Sequence, residues 1–182
     1  AGALFLVDAV TSLGGVPVNV DATGIDVCYS GTQKCLSCPP GLSPVTFGAR
    51  ALEVIQTRKT KVQSWYLDMS MIAKYWGEER VYHHTAPISM VYAFREALRL
   101  VDEEGLEARY ERHRLHSAAL AAGLQALGLG LGAQEGHRAP MLTLTQIPDG
   151  VDDGAVRRRL LNEFDLEIGG GLGVFAGKMW RI

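Results

Sequence analysis

Short apolar runs broken by glycine, proline and polar residues fill the first third of the chain. Residues 3–7 (Ala-Leu-Phe-Leu-Val), 16–20 (Val-Pro-Val-Asn-Val) and 25–29 (Ile-Asp-Val-Cys-Tyr) are short, β-branched and bounded by Gly, Asp or Ser, which predicts strands. The runs are continuous rather than strictly alternating, the pattern of strands buried on both faces in a parallel sheet flanked by helices. Residues 44–48 add a further strand and 49–57 a short helix. Residues 60–86 are polar and aromatic, with Trp65, Tyr66, Tyr75, Trp76 and Tyr82 but no clear period.

Beyond that stretch the period lengthens. Pro87 suits the first turn of a helix, and Ile88, Val91, Tyr92, Leu98 and Val101 follow at helical spacing until Glu103-Glu104-Gly105, where glycine marks a stop. A second helix is predicted from about 105 to 127, with Leu106, Tyr110, Leu120, Leu124 and Leu127 on one side. Strand 141–145, helix 151–164 and strands near 165–168 and 178–182 complete a β-α-β-β order. The expected architecture is an α/β unit over residues 1–104, which includes the connecting helix, and a smaller α+β unit over 105–182.

Composition narrows the function without naming it. The chain has 182 residues, 47% of them apolar and 21% charged, as in an ordinary soluble domain. A net charge of −2 argues against attraction to nucleic acid or anionic membrane surfaces, and no apolar stretch reaches the roughly 20 residues of a membrane helix. Three cysteines do not make a disulfide framework and suit a reducing compartment.

The candidate chemistry sits in Tyr29-Ser30-Gly31-Thr32-Gln33-Lys34 and in the run Leu6-Val7-Asp8. A lysine in a small polar loop after a buried strand adds little packing, but an amine partly withdrawn from water is a nucleophile able to form a Schiff base with an aldehyde. Asp8, at the mouth of the neighbouring strand, suits the protonated ring nitrogen of pyridoxal phosphate. Both residues fall at carboxyl ends of strands, where open α/β sheets build their sites.

These segments, with Ala9-Val10-Thr11-Ser12-Leu13-Gly14-Gly15, Tyr82-His83-His84-Thr85, Gly169-Gly170-Gly171-Leu172-Gly173 and the terminal Lys178 and Arg181-Ile182, resemble the class V pyridoxal-phosphate-dependent aminotransferases, in particular those of the alanine–glyoxylate (serine–pyruvate) type. The resemblance covers essentially the whole chain. It implies the C-terminal part of a fold type I (aspartate-aminotransferase-like) large domain, with a parallel or mixed sheet, followed by a truncated small domain. It also implies pyridoxal 5'-phosphate as cofactor and transfer of an amino group from alanine or serine to glyoxylate. Lys34 would carry the Schiff base, Asp8 would pair with the ring nitrogen, Val10 would pack on a ring face and Gln33 would contact the phosphate region. Tyr82 and Thr85 would reach the phosphate of a neighbouring subunit's cofactor, which implies a homodimer with shared active sites. Arg181 would bind the substrate carboxylate, for which a two-pronged guanidinium is suited. A peroxisomal or mitochondrial location follows from the same resemblance.

Other features carry less chemistry. Cys35 and Cys38 have a redox or zinc spacing, but no second pair completes a metal site, so they read as two thiols. His83 and His84 are adjacent and expected to diverge, leaving ordinary hydrogen bonds near the site. His113 and His116 share a helix face, expected to be solvated or interdomain. Arg157-Arg158-Arg159 is too short for a nucleic-acid footprint and suits an exposed helix side. No Lys-Ser/Thr follows Gly169–Gly173, which favours tight turning over a phosphate loop.

The chain begins and ends within strand patterns, so it reads as a fragment lacking the family's N-terminal phosphate turn and ring-stacking aromatic residue. Alone it is expected to bind cofactor poorly. Two other readings stand beside the aminotransferase: a cysteine desulfurase or related lyase on the same fold, for which Cys28, Cys35 and Cys38 lie too close to the lysine segment, and a non-catalytic truncated product.

Overall fold

The computed structural model describes residues 2–182 and divides into two compact units, the first ending at Glu103 and the second running from Glu104 to Ile182. In the first, β1 (Leu6–Asp8), β2 (Val27–Tyr29) and β3 (Val45–Phe47) form a sheet in that order. β1 and β2 run parallel with Asp8 beside Tyr29, whereas β3 is antiparallel to β2, so the sheet is mixed. Buried Asp26 ties the strand starts together: its carboxylate accepts the Phe5 amide hydrogen at 2.8 Å and lies 3.3 Å from the Arg50 guanidinium. Helix α1 (Ala49–Thr57) follows β3 directly and buries Ala51.

Residues 16–20 do not form the expected strand. Val16 makes only an isolated bridge to Leu13, and Pro17 has no amide hydrogen to offer a ladder. The segment instead enters a closed turn, in which the Thr23 amide and hydroxyl both donate to the Asn19 carbonyl and the Ile25 amide donates to that of Val20. The remaining strands are less enclosed than their apolar runs suggest. Phe5 and Leu6, consecutive and so directed to opposite sides, are both more than half exposed, because among the described residues neither side is well covered there.

The aromatic stretch contains an unanticipated helix, α2 (Met69–Trp76), started by Asp68, whose carboxylate accepts from the Ser70 amide at 3.0 Å. That capping bond satisfies a donor the first helical turn leaves free. Helix α3 (Ile88–Glu104) begins directly after Pro87. Helix α4 (Leu106–Ala126) follows across Gly105, whose φ of +81° only glycine adopts without strain.

In the second unit Glu104 accepts from both Arg109 and Arg112, and the Arg109 side chain is buried. A second sheet has the order β4 (Leu144–Gln146), β6 (Met179–Arg181), β5 (Gly169–Gly170), all neighbours antiparallel. Helix α5 (Asp153–Phe164) is capped by Asp152, whose carboxylate accepts from the Ala155 amide. The strand expected near 165–168 lies one step later, since Asp165 closes α5 in a left-handed conformation and residues 165–168 serve as the exit. Among the described residues no helix is long and apolar enough to cross a membrane.

Candidate active site

The parallel register of β1 and β2 builds the acidic half of the site. Asp8 and Tyr29 are partnered at the strand ends, so their side chains share a face, and the Tyr29 hydroxyl donates to the Asp8 carboxylate at 2.8 Å. The other carboxylate oxygen accepts the Val10 amide hydrogen, also at 2.8 Å. The Val10 bond and then the Tyr29 bond hold the Asp8 carboxyl below its usual range, and the same contact raises the Tyr29 phenol. Hydrogen bonds to the charged form favour it, so this exposed aspartate stays ionised near neutral pH. Val10, half-buried, sits in the turn that leaves β1.

Lys34 rides on a loop whose own residues are packed away. Ser30 and Thr32 are essentially inaccessible, and Cys35, Leu36 and Cys38 are buried. The Ser30 hydroxyl donates to the Ala9 carbonyl at 3.0 Å, joining the lysine loop to the residue after Asp8. The Thr32 hydroxyl donates to the Pro39 carbonyl at 2.8 Å, and the Cys38 amide returns a bond to the Thr32 carbonyl at 3.0 Å. Ser37 completes the turn with φ of +56°, and its amide donates to the Lys34 carbonyl. Cys35 donates to the Thr11 carbonyl at 3.3 Å, so the Cys35–Cys38 pair packs and ties the loop. The amine expected to be partly withdrawn from water is not so among the described residues: Lys34 is exposed, while its loop neighbours Thr32, Cys35 and Leu36 are buried. Gln33 is exposed too, and its amide folds back over Gly31, where a Cβ would stand only 2.6 Å from Oε1.

Tyr82 and Thr85 are brought together, with their hydroxyl oxygens 3.1 Å apart and both residues exposed. Between them the structure corrects an expectation. His83 and His84 do not diverge; their Nδ1 atoms face each other at 2.8 Å, because buried His83 is stacked on Trp65 at 4.1 Å and tethered through Nε2 to the Trp65 carbonyl at 3.1 Å. His113 also departs from a solvated face: its Nε2 is buried without a hydrogen-bond partner among the described residues, while His116 is exposed.

Arg181 belongs to the second unit. It stands on β6 opposite Gly169, and its Nε donates to the Gly170 carbonyl at 2.7 Å. Its guanidinium lies over Gly169, where an added Cβ would come within 3.1 Å of Nη2. Neighbouring Trp180 is buried and donates from Nε1 to Asp153, which also accepts from Arg157.

The protein-family model described as "Aminotransferase class-V" matches residues 1–171. The chain belongs to the class-V aminotransferases. It is 46% identical to a (S)-ureidoglycine–glyoxylate transaminase of Bacillus subtilis, covering 99% of this chain and 48% of the relative. It is 45% identical to an alanine–glyoxylate aminotransferase of Felis catus, covering 98% and 44%. Among solved structures, an alanine–glyoxylate aminotransferase of Nostoc sp. superposes with a TM-score of 0.95 at 57% identity, covering 99% of this chain and 48% of the other. A cysteine desulfurase of Thermococcus onnurineus, at 19% identity and a TM-score of 0.73, shares the fold alone. This class-V chain thus spans about half the length of the relatives it matches, and its fold is the type I fold of pyridoxal-phosphate aminotransferases.

Two side chains that shape the candidate site are not singled out by the sequence. Tyr29 partners Asp8 only once the strands pair in register, and Thr32 shows its role only once its hydroxyl is seen fully buried. In both cases the available signal was a polar residue at a strand end or loop start with no surface reason to be there.

Proposed function

We propose that this chain carries the lysine and aspartate of a pyridoxal-phosphate-dependent aminotransferase site that uses glyoxylate as amino acceptor, with alanine or serine as donor. The supporting observation is the Asp8 carboxylate, held ionised by Val10 and Tyr29, joined through Ser30 to the rigid loop bearing Lys34. Those residues fit the family's cofactor. An acceptor-only carboxylate is the right partner for a protonated ring nitrogen, and an exposed primary amine on a fixed loop is the right group to meet an aldehyde.

When bound, pyridoxal 5'-phosphate supplies an electron sink that acidifies the Cα–H of an attached amino acid. Asp8 would keep positive charge on the ring nitrogen, Val10 would pack against the ring and Gln33 would contact the phosphate region. The Nζ of Lys34 would take the substrate's Cα proton as general base. Arg181, its plane fixed by the Gly170 carbonyl, would bind the substrate carboxylate. Tyr82 and Thr85 would meet the phosphate of a partner subunit's cofactor, making the working unit a homodimer with shared sites, composed of a large domain over 1–104 and a small one from 105. A peroxisomal or mitochondrial location is part of the same reading and is tested by imaging the tagged protein.

Glyoxylate is common to the names of the relatives above, whereas the donor differs between them; a ureido-amino acid donor is therefore the second reading. The test uses a protein of the relatives' full length containing this segment, with alanine, serine and ureidoglycine each paired with glyoxylate or pyruvate. The readout is conversion of the bound cofactor's absorbance from its aldehyde to its amine form. Conversion with alanine or serine and glyoxylate, abolished by Lys34→Ala, is expected. Turnover with ureidoglycine alone would favour the second reading, and no conversion with any pair would overturn both.

A further inference from the structure

The His83–His84 contact assigns protons. A carbonyl only accepts, so His83 must donate from Nε2 to the Trp65 carbonyl. In the uncharged pair this makes His83 the Nε2–H tautomer with a bare Nδ1, and the 2.8 Å approach of the two Nδ1 atoms then requires His84 to be the Nδ1–H tautomer. One hydrogen fits between the rings and two do not. The pair is therefore a directional relay from His84 through His83 to the backbone at Trp65, with no freedom to swap tautomers.

The surroundings keep it in place. Trp65 stacks face to face on His83 with planes 18° apart, and Tyr66 and Tyr75 close on His84 at 5.3 and 5.0 Å. Tyr75, on α2, also meets the ring of Tyr82 edge-on at 6.3 Å, and the Asp68 carboxylate at the start of α2 lies within electrostatic reach of His83. The two histidines are flanked in sequence by Tyr82 and Thr85, whose hydroxyls converge at 3.1 Å on an exposed face. A buried anchor between two exposed, converging hydroxyls sets where those hydroxyls point.

We propose that His83 is a positioning residue, which through its locked pairing with His84 and Trp65 aims the Tyr82 and Thr85 hydroxyls at a phosphate monoester. The proposal rests on the reading in which those hydroxyls meet the cofactor's phosphate. His83 itself, 4% exposed, does not touch that phosphate; it acts through its neighbours. His83→Phe keeps an aromatic ring against Trp65 and deletes both ring hydrogen bonds, so it removes the polar anchor, and the measurement on the unsubstituted protein below is free of the larger ring's packing effect.

The test compares, in the full-length dimer, the affinity for pyridoxal 5'-phosphate with that for pyridoxal, which lacks the phosphate. His83→Phe is expected to weaken the phosphorylated ligand about tenfold, the factor carried by the loss of roughly one hydrogen bond, and to leave pyridoxal within about twofold. Tyr82→Phe should behave alike, and the double variant should be little worse than either single one. If Tyr82→Phe loses phosphate selectivity and His83→Phe does not, the positioning role is wrong while the phosphate reading stands. If neither variant loses selectivity, the phosphate reading falls and takes this inference with it. A second measurement needs no variant: nitrogen-15 NMR of the histidine-labelled dimer near pH 8 should show His83 protonated at Nε2 and His84 at Nδ1, and averaged tautomers on either ring would overturn the lock.

Discussion

Replacing Thr32 with valine isolates one hydrogen bond under the lysine loop. Thr32 is fully buried, its hydroxyl donates to the Pro39 carbonyl at 2.8 Å, and its own carbonyl accepts from the Cys38 amide at 3.0 Å. Valine has nearly the same shape, so the change opens no cavity; it deletes the donor of a part-buried bond to the carbonyl of an exposed residue, Pro39. Losing such a hydrogen bond costs about 1–1.5 kcal/mol. Thr32→Ser keeps the hydroxyl and loses one methyl, about 0.8 kcal/mol by burial alone. Valine should therefore cost more than serine, although valine is the more apolar side chain. The measurement is amide hydrogen exchange at Cys38, whose bond closes the same turn. At about 1.4 kcal/mol the turn opens roughly 10 times more often in Thr32→Val, and Lys34, two residues on, loses its fixed base. The reasoning fails if the valine variant protects Cys38 as well as the parent does, or better than the serine variant.

Glu104, bonded first to Arg112 and then to Arg109, has its carboxyl lowered to about 2. A depressed carboxyl contributes stability that is present above its ordinary value near 4.5 and is lost as pH falls toward 2, so acid unfolding of the second unit should steepen in that window and Glu104→Gln should flatten it in a pH-resolved melting series. Tyr29→Phe removes the second of the two bonds holding Asp8 down; the acid limb of cofactor affinity should move up toward the ordinary aspartate range without reaching it, and an unmoved limb in a titration of binding against pH would show that Tyr29 does not act on Asp8. Gly171→Ala would drive a Cβ into the Phe175 carbonyl oxygen, an overpacking worth about 1–3 kcal/mol or more. Gly123→Ala, with open space around it, should raise helix stability slightly, so the two substitutions should shift thermal midpoints in opposite directions.

Much of the fold was legible because local signals and tertiary structure agree along it. The apolar spacing of 49–57 becomes α1 over those residues, and the stop at Glu103-Glu104-Gly105 is where α3 ends and a positive-φ glycine starts α4. Legibility failed where pairing decides. Val16-Pro-Val has strand composition, yet Asn19 and Thr23 close a turn that the ladder could not outcompete. Gly169-Gly170 has no strand propensity, yet it pairs with Arg181 and Trp180, twelve and ten positions away. Helix α2 escaped because its single capping residue, Asp68, lies among aromatic residues without a 3.6 period.

The same division runs through the candidate site. Residue type and strand-end position were enough to single out Asp8 and Lys34, since a lone carboxylate and a lone amine there have few packing uses. What keeps Asp8 ionised and Lys34 fixed was not readable, because Tyr29, Ser30 and Thr32 act through register and burial. Exposure went the other way: Lys34 stands open to water, so the loop supplies position rather than a desolvated amine. In this segment the chemistry of Lys34 depends on rigidity from below, and any tuning by a dry environment has to come from what closes over it.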